Sequence, residues 1–230
     1  MQFDRRESGV RRPAAVLFDM DGTLIDSEKV WDVSLADLAA SLGGTLTPET
    51  RDAMIGSNMD RTMALMFDDL GLPHDRLAMD EGGRFLTKRT EELFREGLPW
   101  RPGAADLLVA VRRAGLPTAL VTSTERALTE VALDTIGRDF FDVTICGDEV
   151  DGRNKPLPDP YLKAARLLGV DPAGCVAVED SPTGSVSAAA AGCTVLVVPC
   201  DVDVPIGPGM VRRDTLVGVD VPALGALLAR

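Results

Sequence analysis

Short apolar runs alternate with longer amphipathic segments along most of the 230-residue chain. Five runs are rich in β-branched residues and a sixth is weaker; they cover residues 14–18, 118–122, 141–146, 175–178, 194–198 and 215–219. Apolar residues with helical spacing mark the segments between the later runs, at 103–114, 125–136, 160–168 and 182–191. Because the strand-like runs are apolar on both faces, the pattern predicts an α/β fold whose parallel sheet is covered by helices on each side.

One stretch, residues 27–97, interrupts this alternation. It contains no convincing strand, only three amphipathic helical segments separated by Pro48, Gly71, Pro73 and the pair Gly82-Gly83. We interpret it as an all-helical insertion, which leaves residues 1–26 and 98–230 for the core. The polar residues 1–12 are expected to be disordered, and the connections near residues 26 and 98–103 are expected to form a two-strand hinge.

Composition and charge narrow the partners. With 45% apolar and 26% charged residues the chain is ordinary globular material, and its net charge of -12 argues against nucleic-acid or anionic-membrane partners. No run approaches membrane-spanning length, and the N-terminal arginines precede too short an apolar run for an export signal. The sequence therefore predicts a cytoplasmic protein, and it carries no feature that indicates an oligomeric state.

The residue inventory restricts the chemistry as well. The chain has one histidine, His74, in a polar stretch typical of a solvated loop, and its four cysteines form no CxxC pair. Histidine-dependent triads and a zinc site are therefore disfavoured. Chemistry in this protein is expected to depend on carboxylates.

Polar side chains follow four consecutive apolar runs, where the carboxyl ends of parallel strands meet at one edge of a sheet. They are Asp19 and Asp21, Thr122 and Ser123, Lys155, and Glu179 and Asp180. Converging carboxylates repel each other unless a hard cation lies between them, and oxygen ligands suit Mg²⁺. Hydroxyls, a lysine and helix N-termini bind phosphate oxygens, and a carboxylate can act as a nucleophile towards phosphorus. The pattern predicts a magnesium-dependent phosphoryl-transfer site.

These residues also carry a family resemblance. The segment from Phe18 to Glu28, FDMDGTLIDSE, resembles the first motif of the haloacid dehalogenase-like hydrolases. The segments ALVTST at 119–124, NKPLPDP at 154–160 and VEDSPTG at 178–184 resemble the second, third and fourth motifs. The resemblance runs from residue 14 to about residue 198, with the four motifs in order.

The resemblance implies a Rossmann-like core with a helical cap of the type shared by β-phosphoglucomutase and phosphoglycolate phosphatase. It implies that Asp19 is the nucleophile and Asp21 the proton donor and acceptor. It further implies that Mg²⁺ is held by the Asp19 side chain, the Asp21 main-chain carbonyl and Asp180, with Glu179 nearby as a water-mediated or alternate ligand. Lys155 takes the role of the phosphate-binding lysine, and Thr122 that of the phosphate-binding hydroxyl.

Departures from the family's patterns narrow the subclass. The acid at Asp21 favours phosphoryl transfer over dehalogenation, and residues 54–60 contain no lysine for a Schiff base. A phosphomutase of this family places an arginine shortly after the cap glycine, whereas Gly56 is followed by Ser57, Asn58 and Met59. We therefore expect a phosphatase for a small phosphorylated metabolite such as a sugar or polyol phosphate.

Candidate substrate-binding residues on the cap are Trp31, Gly56, Ser57 and Asn58, with Trp31 either stacked on a sugar face or packed in the cap core. Three alternatives stay open. One is a β-phosphoglucomutase-like mutase; the others are non-catalytic, a phospho-receiver-like switch and a degenerate binding protein. A receiver domain is only about half this length and has no helical insertion, and a degenerate member would lack some of these catalytic residues.

Overall fold

The computed structural model describes residues 11–228. The expectation of disorder for residues 1–12 therefore falls almost wholly outside the described part of the chain. The six strands are β1 (Ala15–Phe18), β2 (Thr118–Val121), β3 (Val143–Ile145), β4 (Cys175–Glu179), β5 (Thr194–Val197) and β6 (Met210–Arg212). They form one parallel sheet in the order β3-β2-β1-β4-β5-β6. The α/β fold class predicted from the pattern is confirmed.

Nine α-helices lie within the described residues. Four of them lie within residues 27–97: α1 (Glu28–Ser41), α2 (Pro48–Met54), α3 (Met59–Asp69) and α4 (Arg76–Glu96). The other five are α5 (Ala104–Arg113), α6 (Arg126–Ile136), α7 (Asp159–Leu168), α8 (Pro182–Ala190) and α9 (Val221–Leu227). The stretch that lacked a strand pattern is thus helical, and we call residues 27–97 the helical insertion.

Alternate residues of each central strand enter two different hydrophobic cores. Val16 and Phe18 of β1 pack with residues of α5, α6 and α9, whereas Ala15 and Leu17 pack with residues of α7 and α8. Since both faces are covered, every residue of β1 is buried, which explains why the strands read as unbroken apolar runs. The helical insertion has a third core of its own, built from Leu35, Leu38, Met54, Met63, Met66, Phe67 and Leu86.

The weak sixth run was assigned wrongly. Residues 215–219 form no strand, and the sheet edge is β6 at Met210–Arg212. Leu216 and Val219 are buried in the core without pairing to the sheet. Gly218 between them has a φ of 75°, which an extended strand does not allow, so the apolar side chains reach the core from a turn.

The pair Gly82-Gly83 was also misread as a break between helices. Both glycines lie inside α4 and are buried. A Cβ at Gly82 would lie 3.1 Å from the Met63 sulfur, so the missing side chain lets α4 approach α3 closely. Glycine costs about 1 kcal/mol relative to alanine inside a helix, and tertiary packing offsets that cost here.

The two connections of the helical insertion run side by side. Ile25 and Trp100 form an antiparallel bridge, and the Asp26 amide donates to the Pro99 carbonyl at 2.8 Å. The Arg101 amide donates to the Leu24 carbonyl at 2.9 Å. This pairing begins directly after β1, so the insertion starts within a few residues of the polar side chains at the strand end.

Candidate active site

The polar groups predicted from four strand ends come together at one edge of the sheet. β1 lies between β2 and β4, so Asp19, Thr122 and Asp180 emerge from neighbouring strands. Lys155 reaches the same edge from the loop between β3 and α7. This edge is the carboxyl end of the strands, where open parallel sheets bind their ligands.

Lys155 joins two of the acids in the interior. Its ammonium lies 2.6 Å from Asp19 Oδ1 and 2.7 Å from Glu179 Oε1. The three side chains are almost completely buried, with exposed fractions of 2%, 8% and 0%. A buried ammonium between two carboxylates is compensated for its lost hydration, and this contact raises the pKa of Lys155 above its usual range although burial alone would lower it.

A group of three buried acids lies beside this lysine. Asp19, Glu179 and Asp180 each offer an oxygen, and these oxygens all lie within 4.8 Å of one another. Burial, together with the nearby charges of Glu179 and Asp21, raises the pKa of Asp19 to about 7 against the opposing effect of Lys155. Carboxylates gathered in this way favour a cation among them, and the all-oxygen donor set fits a hard divalent ion. The site is therefore suited to a metal ion.

Gly22 allows the acids to converge. It has a φ of 74°, and a Cβ at this position would overlap the Asp180 carboxylate. The Thr23 hydroxyl donates to Asp180 Oδ1 at 3.0 Å. The chain directly after Asp21 therefore lies against Asp180, which only glycine permits.

Asp21 is held by four side-chain donors. Its Oδ1 accepts hydrogen bonds from the Ser27 hydroxyl at 2.6 Å and the Trp31 indole N–H at 3.1 Å. Its Oδ2 accepts from the Thr124 hydroxyl at 2.8 Å and the Thr122 hydroxyl at 3.3 Å. Two donors belong to the core and two to the helical insertion, so this carboxylate links the two parts of the molecule.

Ser27 was not predicted as a site residue, and Thr124 was noted only within the motif at 119–124. Ser27 is fully buried at the start of α1, and Thr124 follows the Thr122-Ser123 pair already singled out. A hydroxyl at a helix start is usually explained by capping, yet Ser27 makes no side-chain cap bond. Its position six residues after Asp21 was the available signal.

Trp31 contributes to the site through its indole nitrogen. Its ring packs edge-on against Phe94 of α4, with 6.3 Å between ring centroids, and it also lines the cavity described below. The packing on Phe94 agrees with the predicted aromatic of the insertion's core, and stacking of Trp31 on a sugar face stays a prediction. Its hydrogen bond to Asp21 was not foreseen.

The loop around Gly56 touches the core directly. The Gly56 carbonyl accepts hydrogen bonds from Ser123 at 3.2 Å and from Thr183 at 3.1 Å. Gly56 has a φ of 69°, and a Cβ there would lie 2.6 Å from Thr183 Oγ1 and 2.8 Å from Ser181 Oγ. Glycine is therefore required for the insertion to approach this close.

Ser57 and Asn58 have different surroundings. Ser57 lines the cavity, and its hydroxyl lies 2.6 Å from the Thr62 hydroxyl. The Asn58 side chain accepts the Arg61 amide at 2.9 Å and so caps α3. Ser57 remains a candidate for substrate contact, whereas the side chain of Asn58 is used by its own helix and lies outside the cavity lining.

A cavity of about 60 Å³ lies between the strand ends and the helical insertion. Its core side carries polar residues, which include Asp19, Asp21, Thr122, Ser123, Thr124, Asp180 and Ser181. Its insertion side is mainly apolar and includes Trp31, Leu35, Met54, Ile55, Met59 and Leu86. A small ligand held here would have its reacting end at the carboxylates and its other end against the insertion.

Arg51 is a cavity residue that sequence reasoning missed. It lies in the last turn of α2, five residues before Gly56, and its Nε donates to Asp32 Oδ1 at 2.5 Å. The mutase pattern places its arginine after the cap glycine, and the arginine that follows Gly56, Arg61, is not part of the cavity lining. Nothing in the sequence distinguishes Arg51 from a solvated helix charge.

The fold and site together define a class: an α/β enzyme with a buried carboxylate and lysine centre under a helical insertion. A family model described as haloacid dehalogenase-like hydrolase matches residues 13–192. Hexitol phosphatase B from Escherichia coli K12 is 33% identical over 195 residues, which cover 82% of this chain and 85% of that protein. The chain therefore belongs to the haloacid dehalogenase-like hydrolases, as its four motifs predict, and is placed among their phosphatases.

Solved structures agree with this assignment. CbbY from Rhodobacter sphaeroides in complex with phosphate has a TM-score of 0.80 at 29% identity, covering 90% of this chain and 96% of CbbY. The β-phosphoglucomutase from Clostridium difficile has a TM-score of 0.82 at 19% identity, covering 94% of this chain and 97% of that one, and shares the fold. No helix among residues 11–228 is both long enough and apolar enough to cross a membrane.

Proposed function

We propose that the protein is a Mg²⁺-dependent phosphomonoesterase that hydrolyses a small sugar or polyol phosphate through an aspartyl-phosphate on Asp19. One observation carries the proposal: Asp19 lies at the cavity beside Lys155 and Asp180, with Asp21 fixed in the same cavity. The proposed nucleophile, a metal-binding acid and a second acid for proton transfer thus line one cavity, and the lysine lies directly behind the nucleophile.

In the first step an Asp19 carboxylate oxygen attacks phosphorus, and the bond between phosphorus and the leaving oxygen breaks. Lys155, 2.6 Å from Asp19, favours the ionised nucleophile and offsets phosphate charge. Asp21 in its acid form donates a proton to the leaving oxygen. The surrounding donors orient that carboxyl group, and one of the four releases its oxygen when Asp21 carries the proton.

In the second step a water molecule attacks the phosphorus of the aspartyl-phosphate. Asp21, now a carboxylate, takes the proton of that water, and the bond from phosphorus to the Asp19 oxygen breaks. Inorganic phosphate leaves and Asp19 and Asp21 return to their starting states. The apolar insertion side of the cavity limits access of other water during the reaction.

Asp19, Asp180 and the Asp21 carbonyl are the groups that we propose to hold the metal. When bound, Mg²⁺ neutralises charge on the transferring phosphoryl group and on the acids around it. Glu179 is a weaker candidate for direct ligation, because both of its oxygens already accept hydrogen bonds from protein groups.

The substrate class rests on the relatives and on the polar and apolar sides of the cavity. The match to hexitol phosphatase B supports a polyol or sugar as the leaving group. Thr122 and Ser123 are proposed to bind phosphate oxygens, and Ser57 a substrate hydroxyl. We further propose a cytoplasmic location, where such phosphorylated metabolites occur.

A phosphomutase is the second candidate, and Arg51 is the observation that favours it. A mutase must bind a second phosphate, and Arg51 brings a cation to the insertion side of the cavity. We rank it lower because the Arg51 charge is already paired with Asp32 at 2.5 Å. Faster conversion of β-glucose 1-phosphate to glucose 6-phosphate than release of phosphate would reverse this order.

The test is phosphate release by the purified full chain from a panel of sugar, polyol and nucleotide phosphates and p-nitrophenyl phosphate. We expect turnover with Mg²⁺, none after chelation, and selectivity for sugar or polyol phosphates. Borohydride reduction during turnover should convert residue 19 to homoserine, which mass spectrometry can locate. Absence of phosphate release across pH and divalent metals would rule out the proposal.

A further inference from the structure

Tyr161 is buried beneath the reacting groups although the reaction described above does not use it. It is the chain's one tyrosine, lies in the first turns of α7 and has no exposed surface. Its hydroxyl donates to Glu179 Oε1 at 2.7 Å. The Lys155 ammonium lies 5.3 Å from the centre of its ring. Tyr161 therefore contacts both members of the Lys155–Glu179 ion pair.

Glu179 is bound on all sides. Its Oε1 accepts from Lys155 at 2.7 Å and from Tyr161, and its Oε2 accepts from the Asp180 amide at 3.2 Å. The Ser181 amide and hydroxyl also donate to Oε2, at 3.3 Å and 3.1 Å. A carboxylate has about four lone-pair directions, so these donors occupy its capacity. Glu179 consequently acts through its neighbours.

Gly184 on α8 adds a steric limit. A Cβ at this position would overlap the Glu179 carboxylate, so the helix backbone lies directly against the acid. The Ser181 hydroxyl that donates to Glu179 also accepts the Gly184 amide at 3.1 Å. The α8 backbone thus crowds the whole carboxylate, while Ser181 and the Asp180 amide bind Oε2 and only Lys155 and Tyr161 donate to Oε1 among the described residues.

Lys155 is shared between two acids at nearly equal distances, Asp19 at 2.6 Å and Glu179 at 2.7 Å. A phenol is protonated at neutral pH, so the Tyr161 hydroxyl supplies Glu179 Oε1 with a second donor. Without that donor, Glu179 would draw Lys155 more strongly and away from Asp19. The hydroxyl therefore affects how closely the lysine is held to the nucleophile.

We propose that Tyr161 is a positioning residue of the reaction, whose hydroxyl sets Lys155 against Asp19 by way of Glu179. This inference rests on the proposed phosphatase function. It assigns Tyr161 no contact with substrate or metal. A loss of the hydroxyl should therefore reduce the rate of phosphoryl transfer and leave substrate binding largely unchanged.

The test is steady-state kinetics of Tyr161→Phe with p-nitrophenyl phosphate and Mg²⁺. We expect kcat to fall about tenfold, which is the scale of part of one charge-assisted hydrogen bond. KM and the Mg²⁺ concentration for half-maximal rate should stay within about twofold of the wild type. Ser185→Ala, which removes a buried hydroxyl that has no partner among the described residues, is the control and should keep the wild-type kcat.

A purely structural tyrosine would lower the melting temperature of Tyr161→Phe while the folded enzyme kept its kcat. That result, or a raised KM at unchanged kcat, would overturn the inference while the phosphatase function stood. An inactive wild type would instead remove the proposed function.

A second measurement does not need the Phe variant to fold. Biosynthetic 3-fluorotyrosine labels only residue 161, and its fluorine resonance should shift in Lys155→Met and not in Ser185→Ala. A fluorine resonance that does not shift in Lys155→Met would contradict the proposed coupling between Tyr161 and Lys155.

Discussion

The two sides of the cavity are built in opposite ways. On the core side, buried charged groups contact one another at 2.6–2.7 Å, and every residue of β1, β2 and β4 behind them is buried. On the insertion side the lining is mainly apolar, and polar links to the core at the site run through Ser27, Trp31 and Gly56. In the proposed function, this difference assigns the reaction to the core and the fit of the substrate to the insertion.

Asp19→Asn should have the largest effect because it removes the core nucleophile. We expect phosphate release to fall at least a thousandfold, in the range seen when a catalytic nucleophile is lost. The substitution is nearly isosteric, so circular dichroism and the melting transition should still report a folded protein. Retained turnover would show that Asp19 is not the nucleophile, and the assignment of the reaction to the core side would then be wrong.

The same variant tests how the raised pKa of Asp19 affects the stability of the protein at different pH values. Burial raises the pKa of Asp19 from 3.8 to about 7, so between these values the folded protein binds more protons than the unfolded chain. The free energy of unfolding of the metal-free protein should therefore fall as pH rises from about 4 to about 7. Asp19→Asn should reduce this slope and stabilise the metal-free protein near pH 8. Chemical denaturation in chelator at several pH values measures both, and an identical slope in the variant would contradict the assignment.

Gly56→Ala should break the closest approach of the insertion to the core. The new Cβ would lie 2.6 Å from Thr183 Oγ1 at a φ of 69°, and we expect kcat/KM to fall by about tenfold or more. Gly71→Ala is the matched control, since Gly71 has a φ of 65° and nothing within 4 Å of such a Cβ. Both variants bear the backbone strain of about 1–2 kcal/mol, and the activity loss should belong to Gly56→Ala alone. Equal losses in the two would assign the effect to strain.

Trp31→Phe should have a smaller effect, because it keeps an aromatic, though smaller, side chain and removes one of four donors to Asp21. We expect kcat to fall about threefold to tenfold, the size of one hydrogen bond to a charged group that is partly expressed in the rate. Substrates with a good leaving group, such as p-nitrophenyl phosphate, should be affected least, since they need little proton donation. A uniform loss across leaving groups would show that Trp31 acts through packing.

Ser57→Ala should have the smallest effect, and it tests whether a hydroxyl on the insertion side of the cavity contributes to substrate selection. Its hydroxyl lines the insertion side and faces Thr62 at 2.6 Å. We expect kcat for p-nitrophenyl phosphate to be unchanged and KM for a polyol phosphate to rise about threefold to tenfold. An unchanged KM for every sugar and polyol phosphate would remove Ser57 from substrate selection.

The site on the core could largely be predicted from the sequence, because its polar residues follow successive apolar runs. Asp19, Thr122, Lys155 and Glu179 each follow an apolar run, and parallel pairing brings such ends to one edge whatever the connections between them. The sixth strand was misplaced because Leu216 and Val219 are buried without being paired, and periodicity does not separate these two states.

The helices of the insertion could be predicted from the sequence, but the residues that they place at the cavity could not. Gly82 and Gly83 resembled a helix break in the sequence. In the structure they lie inside α4, where their lack of a side chain allows α4 to pack on α3. Arg51 and Ser27 look like ordinary helix residues, and their positions at the cavity and at Asp21 depend on how α1 and α2 lie over the sheet. The helical period alone specifies which residues share a face of a helix, and it does not specify which part of the protein that face contacts.

Local period and the geometry of a parallel sheet were sufficient to predict the α/β class, the helical insertion and the group of acids, hydroxyls and lysine at the strand ends. Tertiary packing was needed to bring Trp31 and Ser27 to Asp21. It was also needed to place Gly56 against Ser123 and Thr183, and Tyr161 beside Lys155 and Glu179. These contacts join residues from separate helices and loops, so their partners are set by packing of whole elements rather than by any local pattern.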